Sequence, residues 1–108
     1  MASGGAQPKR RGTYAEYAVR NYLQRHGWIV VRAYASEGPW DLLALQKGHA
    51  PMMVQVKSGA SYKGRASDMA PEERRRLKAV AAASGAVPVL VTYRADNRGM
   101  RSAIWTAL

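Results

Sequence analysis

The chain has no cysteine, only two histidines and only seven acidic residues among 108. Without cysteine there is no disulfide and no thiolate zinc site. His26 and His49 stand far apart and make no metal-ligand spacing. No apolar run reaches the roughly 20 residues that a membrane-spanning helix needs. The opening Met-Ala-Ser-Gly-Gly-Ala-Gln-Pro has no signal-peptide core. The expectation is a reduced cytoplasm, in a prokaryotic cell or for a virus acting in one, with no membrane partner and no small-molecule cofactor. No repeat of solenoid period is present.

The scarcity of acid is set against 17 Lys and Arg, for a formal charge of +10. That excess on a small domain points to a polyanion, nucleic acid first. The plainer reading of such charge is a basic ribosome-associated or thermophilic protein. At 108 residues with 47% hydrophobic composition, one domain with a real core is expected. So short a chain rarely encloses a deep substrate cavity, so its working surface should be open or shared with a second copy.

Residues 1–12, ending in Lys9-Arg10-Arg11-Gly12, read as a flexible basic N-terminal arm, and 13–108 as a single domain. Thr13 is placed to cap a first helix that runs to about His26 and stops at Gly27. Tyr14, Ala15, Ala18, Val19, Tyr22 and Leu23 form its apolar stripe, and Glu16 flanks or enters it. An acid there is costly unless something pairs with it. Strands are expected over Trp28–Tyr34, Trp40–Gln46 and Pro51–Lys57, the last two closing a hairpin. A polar loop, Ser58–Ser67, carries Lys63 and Arg65. Pro71 opens a second helix that Gly85 ends, with Leu77, Val80 and Ala81 inward. Val87–Tyr93 and Arg101–Ala107 complete an α/β order of α-β-β-β-α-β-β. The strand–helix–strand unit from 51 to 93 makes the third and fourth strands parallel in a mixed sheet flanked by helices.

Strand alternation puts Gln55 and Lys57 on one face. A hairpin closed at residues 47–50 brings Asp41 across from residues 55–57. Phosphodiester hydrolysis needs a metal that neutralises the phosphoryl oxygens and lowers the pKa of the attacking water. Magnesium takes oxygen ligands and keeps several waters. Asp41, the Gln55 side-chain oxygen and the Val56 carbonyl are candidate ligands, with manganese as a substitute for magnesium. Lys57 is the candidate holder of the attacking water or the developing charge. Glu16 would complete the acidic cluster, and Ser36 would hydrogen-bond a phosphate or a water. Lys9, Arg10, Arg11, Arg32, Lys63 and Arg65 are the candidate DNA contacts. Each feature has a plain reading beside the chemical one: an Asp at a strand start is usually a cap, and a Lys at a strand end is usually solvated.

Taken in order, the set is more specific. Glu16, then Gly27-Trp28-Ile29-Val30-Val31-Arg32, Ala35-Ser36, Gly38-Pro39-Trp40-Asp41-Leu42-Leu43-Ala44 and Val54-Gln55-Val56-Lys57-Ser58 resemble the archaeal-type Holliday junction resolvases. These belong to the PD-(D/E)XK nucleases, and the resemblance covers most of residues 10 to 93. It implies a restriction-endonuclease-like fold, a homodimer and magnesium-dependent paired nicking of four-way DNA junctions. It also implies that Glu16, Ser36, Asp41, Gln55 and Lys57 are the active-site positions. The chain departs from the pattern in two places. The PD pair is spread as Pro39-Trp40-Asp41, and position 55 is Gln where the family usually has Glu. Either this branch uses Gln, or Gln is an inactivating replacement. Two other readings stay beside the resolvase: a related nuclease with another DNA substrate, and a non-catalytic DNA-binding module of the same fold. Ile104, Trp105 and Leu108, or the second helix, are the candidate dimer interface.

Overall fold

A computed structural model describes residues 3–33, 38–94 and 96–108, with residues 3–12 described by their backbone alone. The elements in chain order are α1 (Ser3–Arg25), β1 (Ile29–Arg32), β2 (Leu42–Leu45), β3 (Met52–Ser58), α2 (Pro71–Ala83), β4 (Val87–Tyr93) and β5 (Ile104–Ala107). The strands form one mixed sheet in the order β1-β2-β3-β4-β5. Only β3 and β4 are parallel, with α2 as the crossover between them. The expected order and the expected parallel pair are both present.

Several boundaries differ from the sequence reading, among them those of β2, which covers Leu42–Leu45 and leaves Asp41 just outside the strand. Helix α1 begins at Ser3, not at Thr13, so its backbone runs through most of the segment read as an arm. Ala6, Gln7, Lys9, Arg10 and Arg11 are good helix formers, and Gly12 and Pro8 do not interrupt them. Strand β1 is only four residues long. Strand β5 starts at Ile104, after a short 3-10 turn over Gly99–Ser102. That turn is closed by Asp96, whose Oδ1 accepts the Arg98 N–H and the Ser102 hydroxyl, each at 2.9 Å.

The two helices cover opposite faces. Ala15, Val19 and Leu23 of α1 pack on Leu42, Ala44, Val54, Val56, Val89, Val91 and Tyr93. On the other face, Leu77 and Ala81 of α2 and Met69 pack on Met53 and Leu90. Each fully buried Leu or Val there contributes about 1.5–3 kcal/mol of transfer energy. Val80, expected to point inward, is exposed. Helix α2 meets β3 and β4, and Leu77 and Ala81 already fill the contact, leaving Val80 to the side.

Because α2 lies over β3 and β4, the same face of β1 and β2 has no helix on it among the described residues. Ile29 pairs with Leu45 and Val31 with Leu43 on that face. Ile29 is 68% exposed and Val31 47%. Of the C-terminal residues expected at an interface, Ile104 and Leu108 are partly buried within the fold and Trp105 stays exposed. A Cβ placed at Gly64 would stand 2.5 Å from Ile104 Cδ1, so Ile104 already fills that space. Leu108 packs against the α2-side core, and the Trp105 ring lies 5.6 Å from that of Tyr22.

Candidate functional site

The site forms where β2 runs out and β3 continues. Leu42 pairs with Val54, and the Asp41 N–H bonds the Val54 carbonyl at 2.8 Å, so Asp41 faces Gln55 across the ladder. Two residues further on, Val56 directs its backbone groups to the same edge, where β2 has no strand left to offer. A buried N–H needs a partner, and Asp41 Oδ2 accepts it at 2.8 Å. Val56 itself lines the groove beside it. The hairpin thus brings Asp41, Gln55 and Val56 together, as the turn length implies.

Asp41 is buried. Loss of water pushes its carboxyl up to about 6, and the charges of Glu16 and Glu73 add to the rise. The Val56 N–H and Lys57 oppose it without cancelling it. Around it lies a groove of about 570 Å³ lined by Glu16, Pro39, Asp41, Gln55, Val56, Glu72, Glu73 and Arg76, among others. Four of the chain's seven acidic residues, Glu16, Asp41, Glu72 and Glu73, line this groove.

Glu16 reaches the groove from α1 and meets Arg32 at the end of β1, Nε to Oε1 at 3.0 Å. This is the partner that an acid beside the buried stripe requires. Arg32 also donates to the Tyr17 hydroxyl at 3.3 Å and lies over that ring. The residue assigned to DNA from sequence is therefore engaged in holding Glu16. Lys57 lies on the Gln55 face and meets Glu73 of α2, Nζ to Oε2 at 2.9 Å. Ser36 lies outside the described residues, and so do the side chains of Lys9, Arg10 and Arg11.

Lys63 and Arg65 are exposed on the loop after β3. Asp68 holds this loop: its carboxylate accepts the N–H groups of Lys63, Gly64 and Arg65 and the Thr92 hydroxyl. Desolvation works against the Asp68 charge, but these bonds outweigh it and hold the carboxyl below its ordinary range. Sequence reasoning missed Asp68, and it also missed Glu73 and Arg76 as walls of the groove. Pro71-Glu72-Glu73 read only as a favourable helix start. The remaining signal was faint: an acid in the first turn of a crossover helix, close to the C-terminal end of the strand it follows.

Among the described residues, no three His, Cys, Asp or Glu side chains gather as a metal cage. The donors present are one buried carboxylate, a neutral amide oxygen and a backbone carbonyl. All are hard oxygens and few are charged. They fit a cation that keeps most of its water, such as magnesium or manganese, and do not fit zinc. No described helix is long and apolar enough to cross a membrane.

A family model described as archaeal Holliday junction resolvase (hjc) matches residues 7–103. No curated protein matches the chain.

Proposed function

We propose, for a chain that belongs to the archaeal Holliday junction resolvase family, that it cuts four-way DNA junctions by divalent-metal-dependent hydrolysis at the Asp41 groove. The observation that carries this reading is the placing of acid. A chain of net charge +10 gathers four of its seven acids around one groove. Elsewhere it offers DNA a basic surface. A solvated cap or a chance ion pair does not require that concentration, whereas a cation site inside a DNA-binding surface does.

Asp41, the Gln55 oxygen and the Val56 carbonyl would hold magnesium, which when bound neutralises phosphoryl oxygen charge and makes water more acidic. Asp41 is kept in place by the Val56 N–H, so the carboxylate is preorganised and pays little entropy on binding. Lys57 brings a cation to the same face for the phosphate or the attacking water. Glu16, oriented by Arg32, offers an acceptor at the groove wall for a water proton. Ser36 would donate to a phosphate oxygen. Lys63 and Arg65, on the loop pinned by Asp68, would contact phosphates together with Lys9, Arg10 and Arg11.

A junction presents two strands for cutting, related by an approximate two-fold axis. A symmetric dimer supplies one groove per cut. The Ile29, Val31 and Leu45 face is the proposed interface, because it is apolar and exposed. The binding-module alternative rests on one observation, the neutral Gln55 beside Asp41.

The test is nicking of a synthetic four-way junction against linear duplex, with magnesium and with chelator, for the chain and its Asp41→Asn variant. Paired, magnesium-dependent cuts in the junction alone, abolished by Asp41→Asn with binding retained, are expected. If neither the chain nor Gln55→Glu cuts any DNA with magnesium or manganese, the nuclease reading fails and the binding module replaces it.

A further inference from the structure

We infer that Glu73 is the second acid of this groove. It supplies from α2 the negative charge that the strand hairpin, with its neutral Gln55, does not supply. The inference rests on the cation-binding reading above and goes beyond it by naming the residue on which cation affinity depends.

The argument is one of position and charge. Gln55 and Lys57 point from β3 to the face that α2 covers. Pro71 begins α2 at the rim of the groove, and Ala70, Glu72, Glu73 and Arg76 line its wall. Glu73 is the acid there that reaches the strand residues: its Oε2 accepts from Lys57 Nζ at 2.9 Å. Its Oε1 accepts the Ala70 N–H at 3.3 Å, fixing the carboxylate at the first turn of the helix. Glu72 also lines the groove, but it is exposed and paired with its helix neighbour Arg75.

The local charges explain why Glu73 matters. Arg32 balances Glu16, and Lys57 balances Glu73. Among the described residues, Asp41 has no basic side chain bonded to it and accepts a backbone N–H alone. The hairpin and its two ion pairs therefore carry one net negative charge, against which the Arg76 wall already acts. Without Glu73, Lys57 stands unbalanced on the Gln55 face, and the groove around Asp41 carries no net negative charge. A divalent cation would then meet a neutral or positive site. The ion pair also fixes where Lys57 waits, between α2 and the end of β3, beside the Glu73 wall of the groove.

A plain structural role competes with this. Glu73 also caps α2, and a capping acid needs no further reason to be there. The two roles separate by relocating the charge. Glu73→Gln keeps the length and an oxygen acceptor for the Ala70 N–H while removing the charge. Gln55→Glu in the same chain returns one negative charge to the groove from β3 and does nothing for the cap.

The experiment measures Mn²⁺ affinity of the free, full-length protein by titration calorimetry, with folding followed by circular dichroism. The chain, Asp41→Asn, Glu73→Gln and the Glu73→Gln, Gln55→Glu double variant are compared. Glu73→Gln should weaken Mn²⁺ binding by about 10–100-fold, and the double variant should recover most of the loss. Junction cleavage at subsaturating Mn²⁺ should follow the same order, and the difference should narrow as Mn²⁺ approaches saturation. Two outcomes overturn the assignment of Glu73 while sparing the cation site: unchanged affinity in Glu73→Gln with loss in Asp41→Asn, or a loss that Gln55→Glu does not recover. A parent chain with no Mn²⁺ affinity overturns the cation reading itself, and the Glu73 inference with it.

Discussion

Asp41 is a buried acid, and the cost of burying it should be measurable as a pH dependence of stability. Burial moves its carboxyl from an ordinary 3.8 up to about 6. Below pH 4 the group is protonated in both folded and unfolded chains and contributes nothing. Between pH 4 and 6 the folded chain holds a proton that the unfolded chain has lost. Stability therefore falls as pH rises through that window. Above pH 6 the folded chain carries a buried carboxylate at a cost of about 3 kcal/mol. Asn at this position can still accept the Val56 N–H, but it never ionises. Asp41→Asn should match the parent chain at pH 4 and exceed it by up to about 3 kcal/mol at pH 8. In a domain of this size that is about 10 °C or more in Tm. The assay is urea unfolding at one-unit pH steps, in chelator and low salt, for the two proteins side by side. Taking the difference removes the carboxylates they share, such as Asp68, whose lowered pKa gives a slope of the opposite sign. Magnesium at pH 8 should raise the stability of the parent and not of the variant, because a ligand stabilises only the state that binds it. A stability difference that stays constant from pH 4 to pH 8 would refute the reasoning, since a buried carboxylate must show its cost where it ionises.

Three further outcomes are expected. Asp68→Ala removes the acceptor for three loop N–H groups; it should cost about 1–2 kcal/mol, speed proteolysis at residues 59–67 and weaken junction binding, whereas unchanged binding would show that Lys63 and Arg65 make no phosphate contact. Deleting residues 1–11 removes Lys9, Arg10 and Arg11 and should flatten the plot of log affinity against log salt by roughly 2–3, as measured by fluorescence anisotropy; an unchanged slope ends the basic-arm assignment. Ile29→Lys with Val31→Lys should leave the fold intact and convert a dimer to a monomer in sedimentation, with paired cuts becoming single nicks; a double variant that still sediments as a dimer places the interface elsewhere.

What was legible in the sequence is what local chemistry decides. Gly27 and Gly85 end the helices with φ of 91° and 68°, in the region glycine tolerates. The period-two pattern and the turn at 47–50 were enough to put Asp41 across from residues 55–57, and the register that keeps Leu42, Ala44, Val54 and Val56 on a single buried face sets it opposite Gln55. The missed features depend on how distant elements sit. Nothing local says which half of the sheet α2 covers. The apolar run of β1 therefore gave no sign that Ile29 and Val31 stay exposed, and Ile104, offered as an interface residue, stands against the space at Gly64. Glu73 and Lys57 are 16 residues apart, and they meet only because a crossover helix returns its first turn to the end of the strand it left.

The same distinction bears on the choice between enzyme and binding module. Net charge acts over a Debye length of about 10 Å at 0.1 M salt and draws in any nucleic acid. A surface serving binding alone gains nothing from acids in its midst, because each one repels the phosphates the other residues attract. Yet Glu16, Asp41, Glu72 and Glu73 line one groove, and burial of Asp41 raises its pKa against folding. A chain kept only for binding would relieve that cost by replacing Asp41 with Asn, which accepts the Val56 N–H and adds no charge. Its retention as an acid makes sense if something positive occupies the groove during work. Lys57 is tied to Glu73 instead of to Asp41, which leaves Asp41 free to receive a cation from solution.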